Sequence, residues 1–247
     1  MRIIVGNWKM NKAPAEAAAL FSEIASGLTA DCCRVILCVP FVDLLTVANL
    51  AADTEICVGA QNCHFDNEGA YTGEISPAML NNIGVNHVIL GHSERRKYFG
   101  ETDETTNKKV KLAIASGLTP IVCVGETLLE RDLGVTDEKI SIQIKKLLNG
   151  VLAPQLENLI IAYEPVWAVG SGRCIEHADL VHVCKVIRAS LSSLYGVEAA
   201  KNVPILYGGS INSQNFTDLL NIDDIDGGLV GGASLVAEEF LKIVNCT

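Results

Sequence analysis

The sequence predicts an α/β protein in the form of a closed (β/α)8 barrel, a single domain over residues 1–247. Short apolar runs alternate with longer amphipathic segments eight times, with no block of strands or of helices, which is the pattern of a parallel sheet joined by helical crossovers. Eight such units close a barrel, and 247 residues is a typical barrel length. No low-complexity linker interrupts the pattern. An open doubly wound sheet is the competing arrangement, but the first strand-to-helix turn, Gly6-Asn7-Trp8-Lys9, lacks the Gly-x-Gly-x-x-Gly phosphate turn expected there.

The elements follow in order. A strand over 2–6 leads to a helix over 15–28, with Pro14 in its first turn, where a missing N–H leaves nothing unpaired. Residues 34–39 precede a segment over 43–51. Residues 56–60 lead into a loop over 61–74 and a short helix from Ser76, with Pro77 at a favoured first position. Residues 86–90 precede Gly91-His92-Ser93-Glu94-Arg95-Arg96 and a helix over 103–115, with Ser93-Glu94 suited to a helix start of its own. The remaining units pair strands at 119–124, 159–163, 203–207 and 228–230 with helices over 137–148, 177–194, 213–220 and 233–244.

A hydrophobic fraction of 49% against 19% charged residues argues against disorder. The longest apolar runs, such as 35–39 and 87–90, fall far short of a membrane span, and no charged leader with a long apolar core opens the chain. The expectation is a cytoplasmic chain starting at Met1. A formal charge of −10 disfavours nucleic acid or an anionic membrane as partner, so any anionic small molecule must be held by local cations and backbone N–H groups. The nine cysteines include no Cys-x-x-Cys pair and are expected as reduced thiols. Cys38, Cys57 and Cys123 read as small buried hydrophobes, and Cys32, Cys33, Cys174 and Cys246 as nearer to solvent.

In a barrel the chemistry belongs at the carboxyl ends of the strands. Asn7 and Lys9 follow the first strand, His92 the fourth and Glu164 the sixth; Gly208-Gly209-Ser210 follow the seventh, and Gly231-Gly232 the eighth. Pro165 biases Glu164 towards extended geometry, while Gly170 and Gly172 soften the other end of the same loop, so a fixed carboxylate is joined to a segment able to move. An ordinary connector would look much the same. Glycine turns after the last two strands expose N–H groups to an anion, the usual phosphate position in barrels, although either turn alone is explained by tight geometry. His92, just ahead of Ser93-Glu94, sits where a helix N-terminus disfavours a second ring proton; a packed turn histidine is the plain alternative. Lys9 is either a solvated lysine or a cation at the mouth. Glu94 with Arg95 makes either an orienting ion pair or a solvated one.

Asn7-Trp8-Lys9-Met10-Asn11, Gly91-His92-Ser93-Glu94-Arg95-Arg96, the 164–173 stretch, Tyr207-Gly208-Gly209-Ser210 and Gly231-Gly232-Ala233-Ser234 closely resemble the triosephosphate isomerase family, in order and spacing over essentially the whole chain. The resemblance implies interconversion of dihydroxyacetone phosphate and glyceraldehyde 3-phosphate through an enediol or enediolate, with no metal or organic cofactor. It implies Glu164 as base, neutral His92 as electrophile and Lys9 as electrostatic stabiliser, a pairing of glutamate and neutral histidine already documented for this family. Asn7, Lys9, Gly170, Ser210, Gly231 and Gly232 are implied as substrate contacts, with Ser93 and Glu94 in support. The long third loop, carrying Gln61, Thr72 and Glu74, resembles the segment that family members insert into a partner subunit, which implies a homodimer; fourteen residues without regular structure also favour a functional loop.

Two departures stand out. Ser171-Gly172-Arg173 replaces the Thr-Gly-Lys of many relatives at the lid's second hinge, and Met10 stands where some relatives carry an interface cysteine. Cys174, beside that hinge, offers a different thiol whose alkylation is expected to inactivate the protein. The competing functions are a Schiff-base aldolase using Lys9 as its amine, and a catalytically inactive barrel.

Overall fold

In the computed structural model, which describes residues 1–29 and 33–245, eight strands form a closed barrel in the order β1-β2-β3-β4-β5-β6-β7-β8, every neighbouring pair parallel. Closure is made by β1 against β8, with Ile3 opposite Gly227 and Gly6 opposite Val230. The elements are β1 (Arg2–Asn7), α1 (Pro14–Gly27), β2 (Cys33–Val39), α2 (Phe41–Ala51), β3 (Cys57–Ala60), α3 (Pro77–Asn82), β4 (His87–Leu90), α4 (Ser93–Phe99) and α5 (Asp103–Ala115). They continue as β5 (Thr119–Val124), α6 (Leu128–Asp132), α7 (Thr136–Leu147), β6 (Ile160–Tyr163), α8 (His177–Tyr195), α9 (Val197–Lys201), β7 (Ile205–Tyr207), α10 (Phe216–Leu220), β8 (Gly227–Val230) and α11 (Ala237–Val244).

Successive side chains of a strand point to opposite faces, and both faces of this sheet are covered. Val5, Ile36, Cys38, Ile89, Ile121, Cys123, Ala162, Leu206 and Leu229 meet along the barrel axis. Their neighbours Ile4, Leu37, Val88, Val122, Ile161 and Tyr207 face outward onto the helices, where Phe21, Ile24, Leu44 and Phe240 complete a second, larger core. This double burial is why the strands read as unbroken apolar runs rather than as alternating ones.

Helix starts follow the local chemistry. Ser76 caps α3 by accepting the Met79 N–H at 3.3 Å, with Pro77 in the first position. Glu16 reaches back to the Ala13 N–H at 2.9 Å, and Pro14 opens α1. The last two helices are shorter than their sequence pattern suggests. Val236 is extended (φ −126°, ψ 112°) and divides the expected 233–244 helix into a 3-10 turn, Gly232–Leu235, and α11, because Ser234 N–H and Oγ both turn onto the Gly231 carbonyl. The helix expected from 213 becomes regular only at Phe216. Cys38 and Cys123 are buried as expected, whereas Cys57, at the barrel's amino-terminal mouth, is half-buried, as is Cys33. Cys174 is exposed; Cys32 and Cys246 lie outside the described residues.

Phe240 packs the outer core against the end of β1. It is fully buried, and its ring lies 3.4 Å from where a Cβ on Gly6 would sit. Phe240→Ala is expected to lower unfolding free energy by about 3–5 kcal/mol, read from the urea midpoint. A loss below about 1 kcal/mol, less than one methylene is ordinarily worth in a rigid core, would contradict the packing described here.

Candidate active site

At the carboxyl ends of the strands a cavity of about 250 Å³ is lined by Asn7, Lys9, His92, Glu164, Gly170, Ser210, Gly231 and Gly232 together. These are all the catalytic and substrate-contacting residues expected from the sequence. They come from five strand ends and from the loop after β6. A larger cavity, about 890 Å³, opens at the other end of the barrel around Arg34, Cys57 and His87. None of the expected site residues reaches it, so its size does not make it the reactive centre.

Glu164 follows β6 directly. Its Oε1 lies 2.9 Å from His92 Nε2, and its Oε2 accepts the Ser93 N–H at 3.2 Å. Both side chains are nearly shut off from solvent. Burial alone would push the Glu164 carboxyl up, but the His92 ring, the Ser93 N–H and the Cys123 thiol hold it below the usual carboxylate value.

His92 caps α4, and its Nδ1 accepts the Glu94 N–H at 3.2 Å. Nδ1 is therefore the acceptor and Nε2 carries the proton, a tautomer assigned from this hydrogen-bond pattern. Burial opposes a second proton on the ring and the Glu164 carboxylate favours one, with the balance upward while the two side chains touch. That proton could enter only at Nδ1, where the helix N-terminus already presents an N–H and a positive dipole end.

Lys9 holds a left-handed backbone conformation (φ 53°), uncommon for a residue with a side chain. Three contacts enforce it. Asn7 Oδ1 accepts the Lys9 N–H at 3.0 Å, Gln61 Nε2 donates to the Lys9 carbonyl at 2.9 Å, and Lys9 Nζ meets Glu94 Oε1 at 2.5 Å. Glu94 thus pairs with Lys9 and not with Arg95, which turns to Glu101 at 3.2 Å. Gln61, grouped with the third loop by sequence, acts within its own chain as a brace for Lys9. Thr72 and Glu74 are exposed on that loop and do not reach the cavity.

Glu126 escaped the sequence reading. It is fully buried and accepts hydrogen bonds from Tyr163 Oη at 3.0 Å and Trp167 Nε1 at 2.8 Å, with Arg131 Nη1 at 3.7 Å. It pins the start of the loop over Glu164. The signal was available: like Glu164, it is a carboxylate placed just past an apolar strand. Gly125 beside it is equally constrained, since an added Cβ would stand 1.8 Å from the Glu164 carbonyl oxygen, where 3.4 Å is ordinary contact. Gly125→Ala is expected to lengthen the Glu164–His92 contact and to destabilise the fold by about 1–3 kcal/mol, the usual range for overpacking. A crystal structure of the variant that keeps the 2.9 Å contact would contradict this.

The sequence model for triosephosphate isomerase matches residues 2–247. The triosephosphate isomerase of Carboxydothermus hydrogenoformans is 53% identical, over 98% of this chain and 97% of its own length. That of Thermoanaerobacter pseudethanolicus is 50% identical, over 98% of both chains, and that of Streptococcus pyogenes 46% identical, over 98% and 97%. With the barrel and its cavity arranged as described, the chain belongs to the triosephosphate isomerase family.

Proposed function

We propose that this chain interconverts dihydroxyacetone phosphate and D-glyceraldehyde 3-phosphate, with Glu164 moving the carbon-bound proton. The observation that carries the proposal is the 2.9 Å contact between Glu164 and His92 Nε2 inside a small cavity rimmed by glycine turns. A substrate oxygen taking the place of Glu164 at Nε2 leaves the carboxylate free to swing onto the adjacent carbon. Glu164 removes the proton from the carbon beside the carbonyl, and the C–H electrons move through carbon onto the carbonyl oxygen. His92 donates its Nε2–H to that oxygen, and the Lys9 ammonium lies on the same wall of the cavity. His92 regains its proton from the hydroxyl on the carbon that lost one, and that oxygen becomes the new carbonyl as Glu164 delivers its proton to the former carbonyl carbon. Preorganised donors of this type are typically worth about 2.7–4 kcal/mol each.

The phosphate is assigned to the rim formed by Gly170, Ser210, Gly231 and Gly232. The exposed N–H groups of these turns suit an anion that the net charge of −10 would otherwise repel. Val169, Gly170 and Gly172 of the β6 loop line the same cavity, so the loop is a lid that excludes water from the intermediate.

The Schiff-base alternative requires a neutral amine with a free lone pair, whereas Lys9 Nζ is held in an ion pair with Glu94, in which the nitrogen's electrons are committed to a further N–H bond. We further assign the chain as one domain and as a homodimer, each copy inserting its 61–74 loop near the other's Lys9. A second cavity of about 290 Å³, lined by Lys9, Met10, Phe41, Asn62, Glu94 and Phe99, supports that fit, as do Phe41, Val42, Tyr98 and Phe99 left exposed around it. A cytoplasmic location accords with this reading, and among the described residues no helix is long and apolar enough to cross a membrane.

Glu164→Gln is expected to lower kcat by at least about 10²–10⁴-fold in a coupled assay with glyceraldehyde 3-phosphate, the contribution general-base catalysis usually makes. Near-normal turnover in that variant would remove Glu164 from the role.

A further inference from the structure

Behind the phosphate rim, Asn215 connects two segments that the chemistry needs to keep in register. Residues 212–215 form a reciprocal cap: Asn212 Oδ1 accepts the Gln214 and Asn215 N–H groups at 2.9 and 3.0 Å, and Asn215 Oδ1 accepts the Asn212 N–H at 2.9 Å. With Oδ1 committed to a backbone donor, the orientation of the Asn215 amide is fixed and both protons of Nδ2 point the other way. One goes to the Ser210 carbonyl at 3.0 Å, and the other to Cys174 Sγ at 3.2 Å. The Cys174 thiol lies 3.9 Å from the same carbonyl, closing a triangle.

Ser210 lines the site cavity, and Cys174 sits two residues beyond Gly172, the last lid residue that lines it. Asn215 does not line the cavity. It is half-buried behind the wall, and each donor of one fixed amide goes to a different segment. The two hinge glycines, Gly170 and Gly172, hold left-handed angles (φ 65° and 73°), so without an anchor beyond them the carboxyl end of the lid is free to drift.

We infer that Asn215 is a positioning residue for the reaction proposed above, coupling the Ser210 turn to the closing end of the lid through Cys174. Binding of the substrate's phosphate at the turn is thereby registered at the lid hinge. A substrate without a phosphate makes no use of this link. The inference rests on the isomerase reading, and the two can fail separately.

The test compares D-glyceraldehyde 3-phosphate with unphosphorylated D-glyceraldehyde in the parent chain, Asn215→Ala and Asn215→Asp. The aspartate keeps an oxygen for the Asn212 N–H but sets a charged oxygen against the Ser210 carbonyl and Cys174, so Cys174→Ala, which removes the thiol arm of the link without a change of charge, is assayed beside it and is expected to lose activity on the phosphorylated substrate alone. Asn215→Asp is expected to keep the parent's melting temperature and its kcat/KM on D-glyceraldehyde, and to lose about 10- to 10²-fold in kcat/KM on the phosphorylated substrate, the scale of a small misplacement remote from the chemistry. Glycerol 3-phosphate, which lacks the reactive carbonyl, is expected to protect the exposed Arg173–Cys174 bond from trypsin in the parent and in Cys174→Ser. That protection should be lost in Cys174→Ala and Asn215→Asp. Equal loss on both substrates, full activity of Asn215→Asp on both, or unchanged protection in these two variants would overturn the inference. A parent chain inactive on glyceraldehyde 3-phosphate would overturn the isomerase reading instead.

Discussion

Two titratable side chains from different strands, Glu164 and His92, touch at 2.9 Å, both almost wholly buried. Neither would hold its protonation state in such a place alone, because burial works against both charged forms. The first turn of α4 resolves this. Ser93 N–H supports the carboxylate, and Glu94 N–H fills the histidine's second nitrogen. One helix N-terminus therefore supports a charged carboxylate on Glu164 and a lone pair on His92 Nδ1, as the proposed roles require. Much of the nearby structure protects that arrangement: Gly125 admits the Glu164 backbone, Cys123 lies against its carboxylate, and Glu94 carries Lys9 to the same wall.

Barrel closure is the second constraint. Asn7 and Glu164 stand 157 positions apart in the numbering, yet both end up on one mouth because every strand runs the same way and β1 pairs with β8. The mouth is electrostatically unlike the rest of the molecule. On the proposed assignment a chain of charge −10 meets an anion with Lys9 and the glycine turns that line the cavity, and these act at short range while the global charge acts weakly at a distance. The loop after β6, the proposed lid, is anchored at its start by the buried Glu126, through Trp167, and along its far side by a contact with the loop after β7.

The strands were legible because double burial leaves a plain signature, an apolar run ending in a small or polar residue. The same signature placed Asn7, His92, Glu164 and Ser210 at strand ends. Contacts between distant segments were not legible. Nothing in the spacing shows that Glu94 turns from Arg95 to Lys9, since both cations are in reach until the β1 loop is fixed by Asn7 and Gln61. Glu126 was missed because its partners, Tyr163 and Trp167, lie some forty residues downstream and look apolar in sequence. The short helix α6 and the divided last helix turn on single capping contacts, which weigh little in any periodicity.

The protonation of His92 in the occupied site tests the central claim most directly. With the chain ¹⁵N-labelled at histidine and saturated with glycerol 3-phosphate at pH 7, the His92 ring should show one protonated nitrogen, Nε2, and one bare nitrogen, Nδ1. A ring protonated on both nitrogens under those conditions would contradict the account, because an imidazolium has no lone pair for the Glu94 N–H.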